Sequence, residues 1–260
     1  MTTPRADQNT ARVASDEEAI RDTFEQFWKS GTFDAEMDDA GTDIFRLIRD
    51  EIPDIAGKRC IEVGSGSGRI SAALAAAGAS VTLLDNSPAA LALSAKIFRE
   101  GGLRGHFCRA SAFTMPFRDA SFDVVWNTGV LEHFLVDDQL AMLGEMVRLL
   151  RPEGTLLTFN PSHQGRIYRT GKALLTAIGR WPYGREIPIK TLRGHCERLG
   201  VHLESEFNTS FDLQFYYFMR FGLPLKSFFR SRPELNTRLG RLLGGYLKVS
   251  IIRKAPPPAA

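Results

Sequence analysis

The sequence predicts an α/β protein: a seven-stranded, mostly parallel sheet with helices on both faces, an N-terminal helical lid, and helical and aromatic insertions toward the C-terminal end. Three observations predict it. Between residues 59 and 160, short strand-like runs such as Val-Thr-Leu-Leu (81–84) and Phe-Asp-Val-Val-Trp (122–126) alternate with helical patterns. Runs apolar on both faces belong to parallel strands covered by helices. The first run passes directly into Gly64-Ser65-Gly66-Ser67-Gly68, a glycine loop that opens a helix. Finally, 260 residues with 43% hydrophobic and 24% charged side chains suffice for one well-buried core.

Each element follows in order. Residues 1–14 are small and polar and read as a disordered tail, as do residues 255–260 (Ala-Pro-Pro-Pro-Ala-Ala). Two helical patterns precede the first strand: Ala19, Ile20, Phe24, Phe27 and Trp28, then Ile44, Phe45, Ile48 and Ile52. Strands are expected at 59–63, 80–85, 106–110, 122–126 and 155–160, with helices at 70–77, 88–100 and 137–150 between them. The beat is then lost for about 30 residues and resumes with a helix at 191–199 and strands at 201–207 and 246–253. One domain over 15–254 is implied, with a core at 57–160 and insertions at 161–190 and 208–245 placed to cover a substrate. The second insertion is rich in aromatic residues, among them Phe211, Phe215, Tyr216, Tyr217, Phe218, Phe221, Phe228 and Phe229.

Composition removes several classes of function. The net charge of +3, with no arginine-rich arm and no recognisable RNA module, argues against a nucleic-acid partner and for a small-molecule one. Cys60, Cys108 and Cys196 form no Cys-x-x-Cys pair and lie near no histidine at ligand spacing, so reduced thiols and no metal are expected. The sequence has neither a membrane-length apolar run nor the apolar stretch of a signal peptide near its start, and a cytoplasmic location is expected. Charge is nonetheless uneven: residues 16–54 are acidic, whereas beyond Arg220 only Glu234 opposes many lysines and arginines. Aromatic residues beside Arg220, Lys226 and Arg230 make a membrane contact the lesser option, because Gly222 and Pro224 interrupt a long amphipathic helix. Oligomeric state is left open.

A strand, a glycine loop and a helix form the cradle that a nucleotide-like ligand needs, since glycine lets backbone approach closely. Asp85 stands at the end of the second strand, 17 positions beyond Gly68, where a carboxylate can accept from both ribose hydroxyls. Adenosine binding follows from the two together. A nicotinamide-dependent oxidoreductase shares both features, and Tyr168-x-x-x-Lys172 fits the spacing of one such family. The loop here is Gly-x-Gly-x-Gly behind an acid, however, and not Gly-x-Gly-x-x-Gly.

Over residues 57–160 the pattern resembles class I S-adenosylmethionine-dependent methyltransferases, in particular the small-molecule branch related to quinone biosynthesis. Further matches are Met115-Pro116-Phe117, Phe122-Asp123-Val124-Val125 and the Leu-Arg-Pro-Glu-Gly-Thr turn at 150–155. The resemblance implies a Rossmann-like fold and S-adenosylmethionine as cofactor. It assigns Glu62 to the loop and the methionyl amine, Gly64, Ser65, Gly66 and Gly68 to the cofactor's face, and Asp85 to the ribose, with Asn86 beside it among the cofactor-binding residues. Ser111 and Ala112 fall beside adenine, and Asn127 nearest the methionine moiety. Ser111 departs from the family, which has an aspartate there for the adenine amino group.

Methyl transfer needs the nucleophile held in line, worth on the order of 7–11 kcal/mol of barrier. A base adds roughly 10²–10⁴-fold when the attacking group must lose a proton. His133 and His163 follow the fourth and fifth strands, at the edge where open α/β sheets bind ligands, and either can serve. The expected reaction is methylation of an O or N atom of a small aromatic or apolar metabolite. The alternatives are a membrane-associated quinone or lipid as acceptor, a nicotinamide-dependent oxidoreductase, and an inactive cofactor-binding protein. The N-terminal helices, with Phe27 and Trp28, are expected to fold over the cofactor.

Overall fold

The computed structural model describes residues 4–30, 37–218, 227–229 and 231–255, with the side chains of all but 4–11 and 216–218. Two helices, α1 (Pro4–Lys29) and α2 (Asp39–Glu51), precede β1 (Arg59–Val63). The alternation then runs α3 (Arg69–Ala76), β2 (Ser80–Asp85), α4 (Pro88–Glu100), β3 (His106–Arg109), β4 (Phe122–Thr128), α5 (Val136–Leu149) and β5 (Leu150–Pro161). It is followed by α6 (Arg166–Ala177), α7 (Arg193–Leu199), β6 (His202–Thr209), α8 (Pro233–Leu239) and β7 (Leu247–Arg253). The sheet has the order β3-β2-β1-β4-β5-β7-β6. Pairings among β1 to β5 are parallel, whereas β7 is antiparallel to both β5 and β6.

Strand side chains alternate between faces, and the two halves of the core follow that period. Cys60, Val124, Trp126, Leu157, Phe159 and Val249 pack on one face with Ile48 of α2 and Leu74 of α3. Ile61, Val63, Val125, Leu156 and Ile252 pack on the other with Met142, Met146 and Leu149 of α5. Because both faces are covered, nearly every residue of β1, β2 and β4 is buried, which is why these strands read as near-continuous apolar runs.

Several boundaries differ from the sequence expectation. Helix α1 starts at Pro4, so residues 4–14 of the expected disordered tail are helical; residues 1–3 and 256–260 of the two tails lie outside the described residues. Strand β5 begins at Leu150, because the turn at 151–154, with Glu153 at a φ of 61°, stays in the strand. The first insertion forms α6 and an extended segment that bridges Ser162 to Ile189. The second forms a 3-10 segment (Asp212–Phe218), α8 and a π turn (Gly240–Gly244). Arg220, Phe221, Gly222, Pro224, Lys226 and Arg230, read as part of a lid or membrane contact, lie outside the described residues. Among the described residues no helix is long and apolar enough to cross a membrane, and no cluster of metal-ligating side chains occurs.

Candidate active site

The glycine loop leaves β1 with two backbone bonds, Gly64 N–H and Ser65 N–H donating to the Leu84 carbonyl at 2.8 and 3.0 Å. Gly66 and Gly68 have φ values of 51° and 66°, and a Cβ at Gly68 would collide with Leu83 beneath the loop. Non-glycine residues at these positions would be strained before any ligand is considered. Ser94 of α4 donates to the Gly66 carbonyl at 2.8 Å and fixes the loop from below.

Two buried carboxylates flank this loop. Asp85, at the end of β2, accepts from Gly66 N–H at 2.8 Å and Ser87 N–H at 2.9 Å. Burial pushes its pKa up, opposed by these N–H donors. Glu62, on β1, is 2% exposed and accepts from the Ser71 hydroxyl at 2.6 Å. Burial pushes its pKa up to about 8; the Ser71 hydrogen bond opposes this, and the charge of Asp85 adds to it. Each carboxylate keeps lone pairs for further donors. Hydroxyls suit Asp85, and a cationic amine brought to Glu62 lowers its pKa and restores the carboxylate, so the pair matches the donor set of S-adenosylmethionine.

The N-terminal helix crosses this groove. Glu25 of α1 accepts from the Ser87 hydroxyl at 2.5 Å and from Ala89 N–H at 3.1 Å, so it docks on the N-terminal turn of α4. These donors hold its pKa down at about 2, the Ser87 hydroxyl most strongly. The Trp28 ring lies over the loop, where a Cβ on Gly66 would come within 2.6 Å of it. It borders two compartments of the groove, one of about 130 Å3 on the Asp85 side and one of about 200 Å3 on the Glu62 side. The first is below the roughly 300 Å3 at which small-molecule pockets begin. A cofactor spanning Glu62 and Asp85 therefore requires Trp28 to shift.

Beyond the C-terminal end of β4 lies a larger chamber, of about 510 Å3. Phe27, Phe159, Tyr168, Tyr183 and Tyr246 give it an aromatic lining. Thr128, Gly129 and His133 border both the chamber and the Asp85 compartment. His133 is 4% exposed, and its Nδ1 lies 2.7 Å from the Arg185 carbonyl. A carbonyl only accepts, so Nδ1 carries the proton and Nε2 is the basic nitrogen. Burial pushes the imidazole pKa down, against the carbonyls of Arg185 and Gly129, which keeps the ring neutral at pH 7.

A polar cluster floors the chamber. Glu186, almost wholly buried, accepts from the Tyr168 hydroxyl at 2.7 Å, from Arg169 at 2.8 Å and from Lys172 at 2.7 Å. Tyr168 and Lys172, one helical turn apart on α6, are thus paired by a shared carboxylate. Glu132 is 2% exposed, its Oε2 has no hydrogen-bond partner, and its Oε1 is 3.9 Å from His133 Nε2. Burial pushes its pKa up to about 8, reinforced by the nearby charge of Glu186. An uncharged carboxyl at neutral pH follows.

The structure brings Glu62, Gly64, Ser65, Gly66, Asp85, Asn86 and Ala112 to the groove walls. Gly68 lies beneath the loop, and Ser111 stands just behind Ala112, donating at 2.9 Å to Glu17 of α1. Asn127 is 1% exposed with both amide atoms unpartnered and lines none of the three cavities, which Thr128 borders beside it. His163 lines none of these three cavities; it lies by Lys248, Arg169 and Lys190, and burial and then these charges lower its pKa. Of the residues expected in an aromatic lid, Phe211, Phe215 and Phe229 pack on one another at centroid distances of 5.2–6.1 Å and line none of these three cavities, while the side chains of Tyr216, Tyr217, Phe218 and Phe221 lie outside the described residues. The chamber takes its rings from α1, the first insertion, Phe159 of β5 and Tyr246 before β7. Sequence reading missed Glu132 and Glu186; a glutamate between Leu131 and His133 in an apolar stretch was the available signal for the first, and nothing marked the second.

The family model described as "Methyltransferase domain" matches residues 61–158, from within β1 to near the end of β5. Over residues 61–158 the chain carries a methyltransferase domain. Among curated proteins the chain is 30% identical over 154 residues to the ubiquinone biosynthesis O-methyltransferase of Aromatoleum aromaticum, covering 56% of this chain and 65% of that protein. It is 32% identical over 141 residues to the enzyme of the same name from Haemophilus ducreyi, covering 52% and 56%. The matched part is thus between about half and two thirds of each relative. Magnesium protoporphyrin IX methyltransferase from Synechocystis PCC 6803, solved with S-adenosylhomocysteine, shares the fold at a TM-score of 0.64 and 16% identity, covering 92% of this chain and 100% of that one. In the methyltransferase domain of this chain, the matched segment contains the whole glycine loop, Asp85, Ser111 and His133, while α1 and the Glu186 cluster lie outside it.

Proposed function

We propose that the chain transfers the methyl group of S-adenosylmethionine to an O or N atom of a small aromatic or apolar acceptor, with hydroquinone- and catechol-like compounds as the first candidates. The observation that carries this reading is the shared wall: the groove flanked by Glu62 and Asp85 and the aromatic chamber meet at Thr128, Gly129 and His133. The names of the curated relatives point the same way as the chamber's lining.

When bound, S-adenosylmethionine supplies an electrophilic methyl group on a sulfonium. The chain's part is to position and to move a proton. Glu62 holds the amine, Asp85 the ribose hydroxyls, and the loop fixes both relative to Gly129. The aromatic walls hold a planar acceptor and keep water out, which strengthens every polar contact inside. His133 Nε2, neutral and at the junction, takes the proton of an attacking hydroxyl or amine. Glu132, uncharged, offers an O–H to a polar atom of the acceptor. Tyr168 and Lys172 both donate to Glu186, so their four-residue spacing is accounted for by this shared carboxylate.

Two measurements test this. Titration calorimetry is expected to show S-adenosylhomocysteine binding and no response to NADH or NADPH. Tritiated S-adenosylmethionine, offered with a panel of catechols, hydroquinones and aromatic amines, is expected to label at least one compound. Binding of the nicotinamide cofactor alone overturns the reading.

A further inference from the structure

Helix α1 brings into the cofactor groove a carboxylate that neither the glycine loop nor the sheet supplies. Glu17 lines the Asp85 compartment, where its Oε1 accepts from the Asn86 amide at 3.3 Å and its Oε2 from the Ser111 hydroxyl at 2.9 Å. Both donors are neutral. Among the described residues Glu17 makes no ion pair: Arg21, the other charged lid residue at this wall, is turned to Glu18 and Asp22 at 3.0 and 2.8 Å. Arg12 and Arg185 are engaged by Asp16 and Asp138. A carboxylate accepts at about four lone-pair sites, so Glu17 retains acceptor capacity at the cavity wall.

The rest of that compartment narrows the choice of what Glu17 receives. Leu84, Ala110, Ala112, Phe134 and Met142 are apolar and suit the faces of a flat base. Asp85 already accepts two backbone N–H groups, and its remaining lone pairs go to ribose hydroxyls. The Ser111 hydroxyl donates to Glu17 and accepts from Phe113 N–H at 3.1 Å, which leaves it a single lone pair on a neutral oxygen, a weaker acceptor than a carboxylate. An adenine between the apolar walls presents an exocyclic amine with two N–H donors. Glu17 is the charged acceptor left for it on this wall.

We propose that Glu17, carried by the lid helix, is the acceptor for the adenine amino group, in place of an acid at position 111 just after β3. The proposal rests on the cofactor reading given above and extends it: the base is recognised from α1, which already lies across the groove. A cofactor bearing the 6-amino group gains the contact to Glu17, and one without it leaves that contact unmade.

The test is calorimetric titration of the full chain with S-adenosylhomocysteine and with its analogue carrying unsubstituted purine in place of adenine. The wild type is expected to prefer S-adenosylhomocysteine by about tenfold or more, the scale of a hydrogen bond to a charged group. Glu17→Ala is expected to weaken S-adenosylhomocysteine by that factor and leave the analogue unchanged, so the preference disappears. Glu17→Gln, which keeps shape and a weaker acceptor, retains part of it and serves if the alanine variant melts early. Equal weakening of both ligands, no change in either, or tighter binding of both overturns the proposal, since Glu17 would then be a prop for the lid, a bystander or a plug. Failure of the wild type to bind S-adenosylhomocysteine overturns the cofactor reading itself, and this proposal with it.

Discussion

The cofactor groove and the aromatic chamber share one wall but are built in different ways. The loop of the groove and its two flanking carboxylates come from one unbroken stretch, residues 62–85, in which strand, loop and carboxylates follow one another and most contacts are to backbone, with α1 and the ends of β3 and β4 closing the walls. The chamber is made by side chains far apart in the chain: His133 held by Arg185, and Tyr168, Arg169 and Lys172 gathered on Glu186. A backbone cradle is indifferent to most side-chain changes, whereas a polar cluster in a low-dielectric interior depends on every member. The lesson is that the generic part of the reaction is held by geometry, and the acceptor-specific part by charge balance.

Four substitutions sharpen or break that contrast. The largest effect is expected for His133→Gln: turnover falls by roughly 10²–10⁴-fold while the affinity for S-adenosylhomocysteine stays level. Equal losses in both would show that the two cavities are not functionally separate. Next is Glu186→Ala, which leaves Arg169 and Lys172 without their carboxylate; breaking such a buried pair costs about 3–5 kcal/mol, to be read from urea unfolding. A loss below about 1 kcal/mol, the scale of an exposed pair, would mean that the chamber floor is open to water.

Asp85→Ala is expected to weaken S-adenosylhomocysteine by roughly 10–100-fold, as loss of hydrogen bonds to a charged acceptor does, with the acceptor KM little changed. The smallest effect concerns pH. Glu132 titrates near 4.5 when unfolded and about 8 when folded, so the folded chain binds the extra proton between these values and loses stability as pH rises through them. Glu132→Gln removes that loss, and its melting temperature is expected to fall less than the wild type's between pH 5 and 8. Parallel melting curves for the two proteins would place a charge, not a proton, on Glu132.

The same division explains what the sequence made legible. Strands β1, β2 and β4 are readable because burial on both faces writes itself into consecutive residues, and the glycine loop because close backbone approach excludes other side chains. Asp85 is readable from its place at a strand end. The chamber is not, because nothing near Glu186 in the chain says that Tyr168 and Lys172 converge on it; their four-residue spacing suits a dehydrogenase pair equally well. Strand alternation sets Asn127 on the face of β4 opposite to Trp126 and Thr128, and the sequence does not say which of these neighbours meets a ligand beyond the strand end. Phe211 and Phe215 were read as lining because sequence shows that aromatic residues cluster but not which way they face. Helix α1 began earlier than composition suggested because Arg12 finds Asp138, a partner 126 positions away.

The sheet order also governs how the chain assembles. Strand β6 pairs, among the described residues, with β7 and nothing else, and β7 is made after it. During synthesis, β1 to β5 can therefore zip together as each helix returns to the sheet, while residues 202–209 wait with their backbone groups exposed until residues 247–253 leave the ribosome and slide in beside β5. A nascent chain stalled between those two points carries a half-built edge, and it is in that interval that a chaperone has something to hold.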